Sequence, residues 1–302
     1  MRLLSPISVM IKLFILKPKV VIISTHELLL VASLYKLFSK ARIIYDVREN
    51  YLENILNTDA FPFWTRSLVG GSVRAKESLT SLWIDHYLLA EKVYQKELPF
   101  IGNRFTIVEN KCQLPENFRR KPPESEIKIL FSGTLSESTG VFNAIKLATQ
   151  LHHQNPKVHL TIIGFCARSE ERKKILKATY RLSFISVKGL HKLVSHQEIF
   201  NEISNSTAGI IYYKDAPHLK GRIPTKLYEY LSCRLPILYD ESAEWSRLAE
   251  QSKAGIPINL NMLNPVRVLS ALSQTSFYPE IPKGVTWETE ESRFLKSVNP
   301  AS

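Results

Sequence analysis

Cysteine is scarce in this sequence: three residues in 302, Cys112, Cys166 and Cys233, with neither metal-ligand spacing nor the even count of a disulfide framework. That excludes a stapled secreted scaffold and a zinc module, and it suits a reducing, cytoplasmic setting. Glycine is sparse as well, and neither the GxGxxG dinucleotide spacing nor a P-loop lysine occurs. Long apolar runs are missing. The amino-terminal MRLLSPISVMIKLFIL is interrupted by Arg2, Pro6 and Lys12, is too short to span a bilayer, and has no small-residue cleavage site after it. Acidic residues are the remaining deficit, 28 against 40 Lys and Arg, for a formal charge of +12. Such a balance suits nucleic acid, an anionic membrane surface or phosphorylated small substrates. With no arginine-rich tail and no nucleic-acid motif, nucleic acid is set aside as a partner. His152, His153 and His191 read as surface or capping positions, so no metal and no cofactor is expected.

What the sequence does contain is alternation. The hydrophobic content of 44% is enough for two domains, each with its own core. The amino end reads as an amphipathic helix with Leu3, Leu4, Ile7, Met10, Ile11 and Phe14 on its apolar face, covering a sheet or lying on lipid. VVIIS, a helix from LLLVASLYKLFSK, and ARIIYDV make a strand–helix–strand crossover of a parallel sheet. Two polar clusters, Thr25–Glu27 and Asp46–Asn50, then open at the same sheet edge, as functional groups or as caps that pair with each other. From Tyr51 to Ala75 the pattern is irregular, with an aromatic patch at 61–64 suited to core, interface or membrane. Phe105–Val108 closes this domain, and the proline-rich KCQLPENFRRKPPESEIK is the linker.

The second half repeats strand and helix from IKILFSGTLSESTG onward, the pattern of a doubly wound α/β domain. Its turn between Gly133 and Gly140 can bring backbone N–H groups close to a phosphate. The stretch that organises the half is AGIIYYKDAPHLKGRIPTKLYEYLSCRLPILY, read as strand, polar loop, helix and strand. Lys214, Asp215, His218, Lys220 and Arg222 crowd the loop, and the helix begins near Pro224. Lys226 falls in the first helical turn, with Glu229 on the same face. A cation at a helix N-terminus opposes the dipole, and a bound phosphate would offset that cost. An ordinary crossover with a solvated basic loop is the plainer account.

Several of these segments, in this order, resemble the retaining, nucleotide-sugar-dependent glycosyltransferases of family 4 (glycosyl transferases group 1). ILFSGTLSESTGVFNAIKLA resembles the strand, glycine loop and helix that open the family's donor domain, and PTKLYEYLSCRLPIL resembles its donor-binding helix. AEKVYQKELPF with FTIVENKC resembles the last helix and strand of the acceptor domain; STHE and YDVREN resemble its cleft-facing strand ends. The resemblance implies an α/β protein of two Rossmann-like doubly wound parallel-sheet domains facing a cleft, the GT-B fold. It divides the chain into an acceptor-side domain at 1–120, a candidate C-terminal helix at 285–302 packing back on it, and a donor domain at 121–284.

By the same resemblance, Gly133, Thr134, Arg222, Pro224, Thr225, Lys226 and Glu229 would bind the donor, with Glu229 on the ribose. His26, Glu27, Arg48, Glu49 and Asn50 would face the acceptor, and Lys226, Glu229, Arg48 and Glu49 are the candidates to act in the chemistry. The partners implied are a nucleotide sugar, a saccharide or lipid-linked glycan, and a peripheral contact at the inner face of the cytoplasmic membrane. Departures are specific. The family's two glutamates are separated by seven residues, and the first falls here on Gly221; Thr134 and Thr139 stand near the usual diphosphate-gripping bases; Arg48 replaces a histidine. The family's first strands have no counterpart before Val20, so the amino-terminal domain is expected to be incomplete, with a protein partner completing it. An inactive scaffolding subunit and a sugar-nucleotide epimerase of the same fold are the alternatives.

Overall fold

Short runs rich in Ile, Val and Leu form the strands, and residues in 3.6-residue stripes between them form the helices. The computed structural model describes all residues except 1–4, 59–60, 214–218, 220, 242, 244 and 300–302. The chain begins with α1 (Ser5–Leu16), β1 (Val20–Ile23), α2 (Leu29–Phe38), β2 (Arg42–Val47), α3 (Tyr51–Asn57) and α4 (Phe63–Thr80). It continues through β3 (His86–Leu89), α5 (Tyr94–Glu97), β4 (Phe105–Ile107), β5 (Ile127–Thr134), α6 (Val141–Gln154) and β6 (Val158–Phe165). Next come α7 (Ser169–Thr179), β7 (Ile185–Leu190), α8 (His196–Ser204), β8 (Ala208–Ile211), α9 (Thr225–Ser232) and β9 (Ile237–Asp240). The last elements are α10 (Ser246–Gln251), β10 (Gly255–Ile258), α11 (Pro265–Gln274) and α12 (Glu288–Val298).

The described residues fall into two units, one within Met1–Asn110, Pro217–Arg222 and Trp287–Ser302, the other within Lys111–Ala216 and Ile223–Thr286. Each is a parallel Rossmann-like sheet covered by helices on both faces, and the first sheet is the smaller. Its order is β1-β2-β3-β4. One face carries a core of Ile43, Tyr45, Tyr87 and Leu89 under α2, with Leu29, Ala32 and Tyr35 facing down. The other face puts Ile44, Leu88 and Val108 under Trp287, Phe294 and Val298, which frame α12.

The second sheet runs β10-β9-β8-β5-β6-β7, with the strand order reversing at β5 and β8, where open α/β sheets bind ligands. Across β5, β6 and β7, Gly133, Gly164 and Gly189 stand in register. A Cβ on Gly164 would meet the Gly133 carbonyl oxygen at 1.7 Å, so the strand ends approach closely only without side chains.

Two expectations are corrected. The stretch 51–75 is not irregular: Asn50 caps α3 by accepting from the Glu53 N–H, and α4 runs unbroken through Gly70 and Gly71. Gly70 lies close to α3, where a Cβ would meet the tip of the Leu52 side chain at 2.9 Å. In α1 the apolar stripe divides, since Met10 and Leu13 pack on the core while Ile7 and Ile11 are exposed; Leu3 and Leu4 lie outside the described residues. α9 begins where expected: Pro224 has extended backbone (φ −59°, ψ 129°) and occupies its N-cap.

Candidate functional site

The residues singled out around α9 converge in the second unit. Tyr230 anchors the helix: its ring lies on Gly209 of β8, and its hydroxyl is 2.9 Å from Ser132 Oγ of β5, in a hydrogen bond either can donate. Lys226 is one turn earlier on the same face. The anchored helix therefore aims it along β5, with its Cε 3.8 Å from where a Gly133 Cβ would stand. Its Nζ lies over the Phe131 ring at 3.9 Å from the centroid and 5.4 Å from that of Tyr213.

This ammonium is buried and has no hydrogen-bond partner among the described residues. Burial pushes its pKa down to about 7, with Glu229 partly opposing. An uncompensated buried cation is costly, and the two ring faces offset only a small part of that cost. Its place at the C-terminal sheet edge, beside a helix N-terminus, fits an anionic group as the missing counter-charge.

Glu229 Oε1 accepts a hydrogen bond from His196 Nε2 of α8 at 2.9 Å, and that bond raises the imidazole pKa despite partial burial. His196 is absent from the residues read in the sequence. The turn after β5 is braced by Thr139, whose hydroxyl donates to the Thr134 carbonyl at 2.7 Å. Gly140, at φ +88°, passes so close to the Tyr212 carbonyl that any Cβ would clash at 1.6 Å. Thr134 and Thr225 are exposed at this edge. Lys214, Asp215, His218 and Lys220 lie outside the described residues. A recess of about 540 Å³ near Arg120, Arg234 and Tyr278 opens at the opposite, N-terminal end of the strands and takes in none of the predicted residues.

The first unit gathers a second polar cluster. His26 Nδ1 lies 2.7 Å from Lys76 Nζ of α4; burial and the neighbouring ammonium lower the imidazole pKa, and burial lowers that of the amine. The His26 ring stands edge-on to Tyr51 at 4.5 Å, and Glu27, largely exposed, is 3.7 Å from Nε2. Asn50 is buried and committed to the fold: its Oδ1 accepts from Arg74 at 2.7 Å, and its amide donates to Glu97 at 2.7 Å. Glu49 Oε2 accepts from Asn54 at 2.5 Å. Arg48 is exposed and paired with Asp46 at 2.8 Å.

Arg222 belongs to this unit, donating to Asn54 Oδ1 at 3.2 Å, lying 3.7 Å from Glu97 and stacking over Tyr94. Beneath the cluster, buried Glu77 accepts from the Tyr45 hydroxyl at 2.9 Å and sits 3.5 Å from Arg74. Arg74 comes from the stretch read as irregular, and Lys76 and Glu77 follow it on the same helix, α4. Among the described residues no group of three or more His, Cys, Asp or Glu could hold a metal ion.

Residues 115–242 match the family model of glycosyl transferases group 1. Comparison with curated protein sequences finds no match. Among solved structures, the chain is similar to TarM at 13% identity and TM-score 0.61, over 93% of this chain and 54% of that one. It thus spans about half of TarM's length. It is similar to HepE from Anabaena, solved with UDP, at 12% identity and TM-score 0.68, over 98% of this chain and 82% of that one. A glycosyltransferase from Rickettsia africae follows at 12% identity and TM-score 0.66, over 98% and 81%. These likenesses show the fold, the two Rossmann-like domains of the GT-B class.

Proposed function

We propose that the chain, whose residues 115–242 match the glycosyl transferases group 1 model, transfers a sugar, with retention, from a nucleotide sugar to a saccharide or lipid-linked glycan. The observation that carries this reading is Lys226, a buried ammonium without a hydrogen-bond partner among the described residues and only partly offset by Glu229, aimed at the glycine-ended strand β5. A nucleoside diphosphate supplies the missing negative charge. UDP in the similarly folded HepE supports that class of leaving group.

Lys226 then stabilises the charge that grows on the diphosphate as the glycosidic bond to it breaks. The ring faces of Phe131 and Tyr213 keep water from the ammonium, which strengthens its field at the phosphate. Backbone N–H groups of the turn from Gly133 and the N-terminus of α9 complete the phosphate cradle. Glu229, held by His196, accepts from a ribose hydroxyl. His26, Glu27 and the exposed Arg48 are the acceptor-side contacts, while Asn50 and Glu49 hold the fold that presents them. A lipid-linked acceptor places the work at the inner membrane face, in assembly of surface polysaccharide.

The test is incubation of the purified chain with UDP- and GDP-sugars and a lipid-linked glycan fraction. Acceptor-dependent release of nucleoside diphosphate, with the anomeric configuration of the sugar kept in the product, is expected. Weak or absent nucleotide binding with no transfer would favour the scaffolding reading, and conversion of the sugar without acceptor the epimerase.

A further inference from the structure

Helices that cover a sheet normally turn polar residues away from it. Three helices of the first unit do the opposite. α2 buries Leu29, Ala32 and Tyr35 against the sheet and turns Leu30, Leu34 and Leu37 outward, each at least half exposed. α1, which packs on α2 with Phe14 edge-on to Tyr35, turns Ile7, Ile11 and Ile15 outward in a row of i, i+4 neighbours. α4, also against α2, turns out Trp64, Leu68 and Leu79, all more than 60% exposed. Single exposed apolar residues are ordinary; aligned rows on adjoining helices are not.

The charge on these helices is of one sign. α1 and α2 contain no carboxylate; Lys12 of α1 is exposed, Lys36 of α2 is paired with Asp85 at 2.7 Å, and the one acid of α4, Glu77, is buried beneath the surface. Lys17, Lys19 and Lys40 are exposed at the ends of α1 and α2. Apolar rows edged by lysines match a layer of acyl chains under anionic headgroups. We propose that this face of α1, α2 and α4 docks the first unit on an anionic lipid bilayer.

Other occupants fit less well. A second copy would bring lysines against lysines with no acid to pair them. An added strand would join the backbone edge of β1, one layer below these side chains. Among the described residues no helix is long and apolar enough to cross a membrane, so the contact is peripheral. Phe63 and Trp64, both more than 80% exposed at the start of α4, are the aromatic pair that settles at a headgroup boundary. None of these residues belongs to the donor site, so the inference stands or falls separately from the transferase reading.

The test is flotation of the full chain with phosphatidylglycerol-containing vesicles and with phosphatidylcholine vesicles, at low and high salt. Binding to the anionic vesicles, weakened by salt, is expected. Leu34→Glu with Leu37→Glu should weaken it on the order of tenfold or more while nucleotide binding persists. Should that pair disturb α2, Lys12→Glu with Lys40→Glu reverses two exposed charges and should weaken anionic binding alike. Absence of vesicle binding by the folded wild type, equal binding to both lipids, or a dimer that buries these rows would each overturn the proposal.

Discussion

His196 and Glu229 are joined across two helices of the second unit by a 2.9 Å hydrogen bond, and the imidazole pKa is raised by it. The bond couples the residue expected on the ribose to one that no local motif announces. A histidine pKa raised in the folded state gives stability that is complete below the unfolded value of 6.5 and lost as pH rises through the folded value. The ring is mostly exposed, so the contribution is small, below about 1 kcal/mol. NMR titration of His196 should give a pKa above 6.5, and Glu229→Gln should return it toward that ordinary value. An unshifted pKa in the wild type would contradict the pairing.

Lys226 should lower stability. Its pKa of about 7 in the fold lies below the unfolded 10.5, so between those values the unfolded chain binds more protons and stability rises with pH. Below about pH 7 the full cost of the buried cation is present. Lys226→Met should therefore raise the melting temperature, most at or below neutral pH, with the gain shrinking toward pH 10. A lower melting temperature at pH 6 would contradict the account.

Glu77 holds the cluster beneath the sheet edge of the first unit. Glu77→Ala leaves Arg74 and the Tyr45 hydroxyl without their buried partner, at a cost of about 2–4 kcal/mol in urea unfolding. Glu77→Gln keeps an acceptor for Tyr45 and should cost less than half as much. Equal effects from the two would mean that packing, not hydrogen bonding, sets the value.

The parallel order of strands was legible because strands and helices alternate along the chain and β8 and most of β9 are continuous apolar runs, as a sheet covered on both faces needs. The amino-terminal part of α4 was not legible: Gly70 and Gly71 weaken its period, and the close contact of Gly70 with Leu52 comes from α3. α11 carries plain signals, an Asn264 cap and Pro265 in its first turn, yet its short outer stripe left it out of the elements read. At the site, the spacing of Lys226 and Glu229 along a helix could be read directly. The partners could not: Phe131, Tyr213 and His196 reach them from β5, β8's end and α8, and pairings over such separations leave no mark on local sequence. Lys76 was hidden for the same reason, since its contact with His26 depends on how α4 packs.

The central claim is that the Lys226 ammonium is the counter-charge of a nucleoside diphosphate. Calorimetric titration with UDP and GDP at pH 8, in buffers of different ionisation enthalpy, measures it directly. Free Lys226, with a pKa of about 7, is mostly neutral at that pH, and a bound diphosphate restores the charged form. The account predicts uptake of about one proton on binding. In Lys226→Met it predicts loss of that uptake, with affinity roughly 10- to 100-fold weaker. Saturable binding with no proton uptake, or binding of equal strength in Lys226→Met, would contradict it.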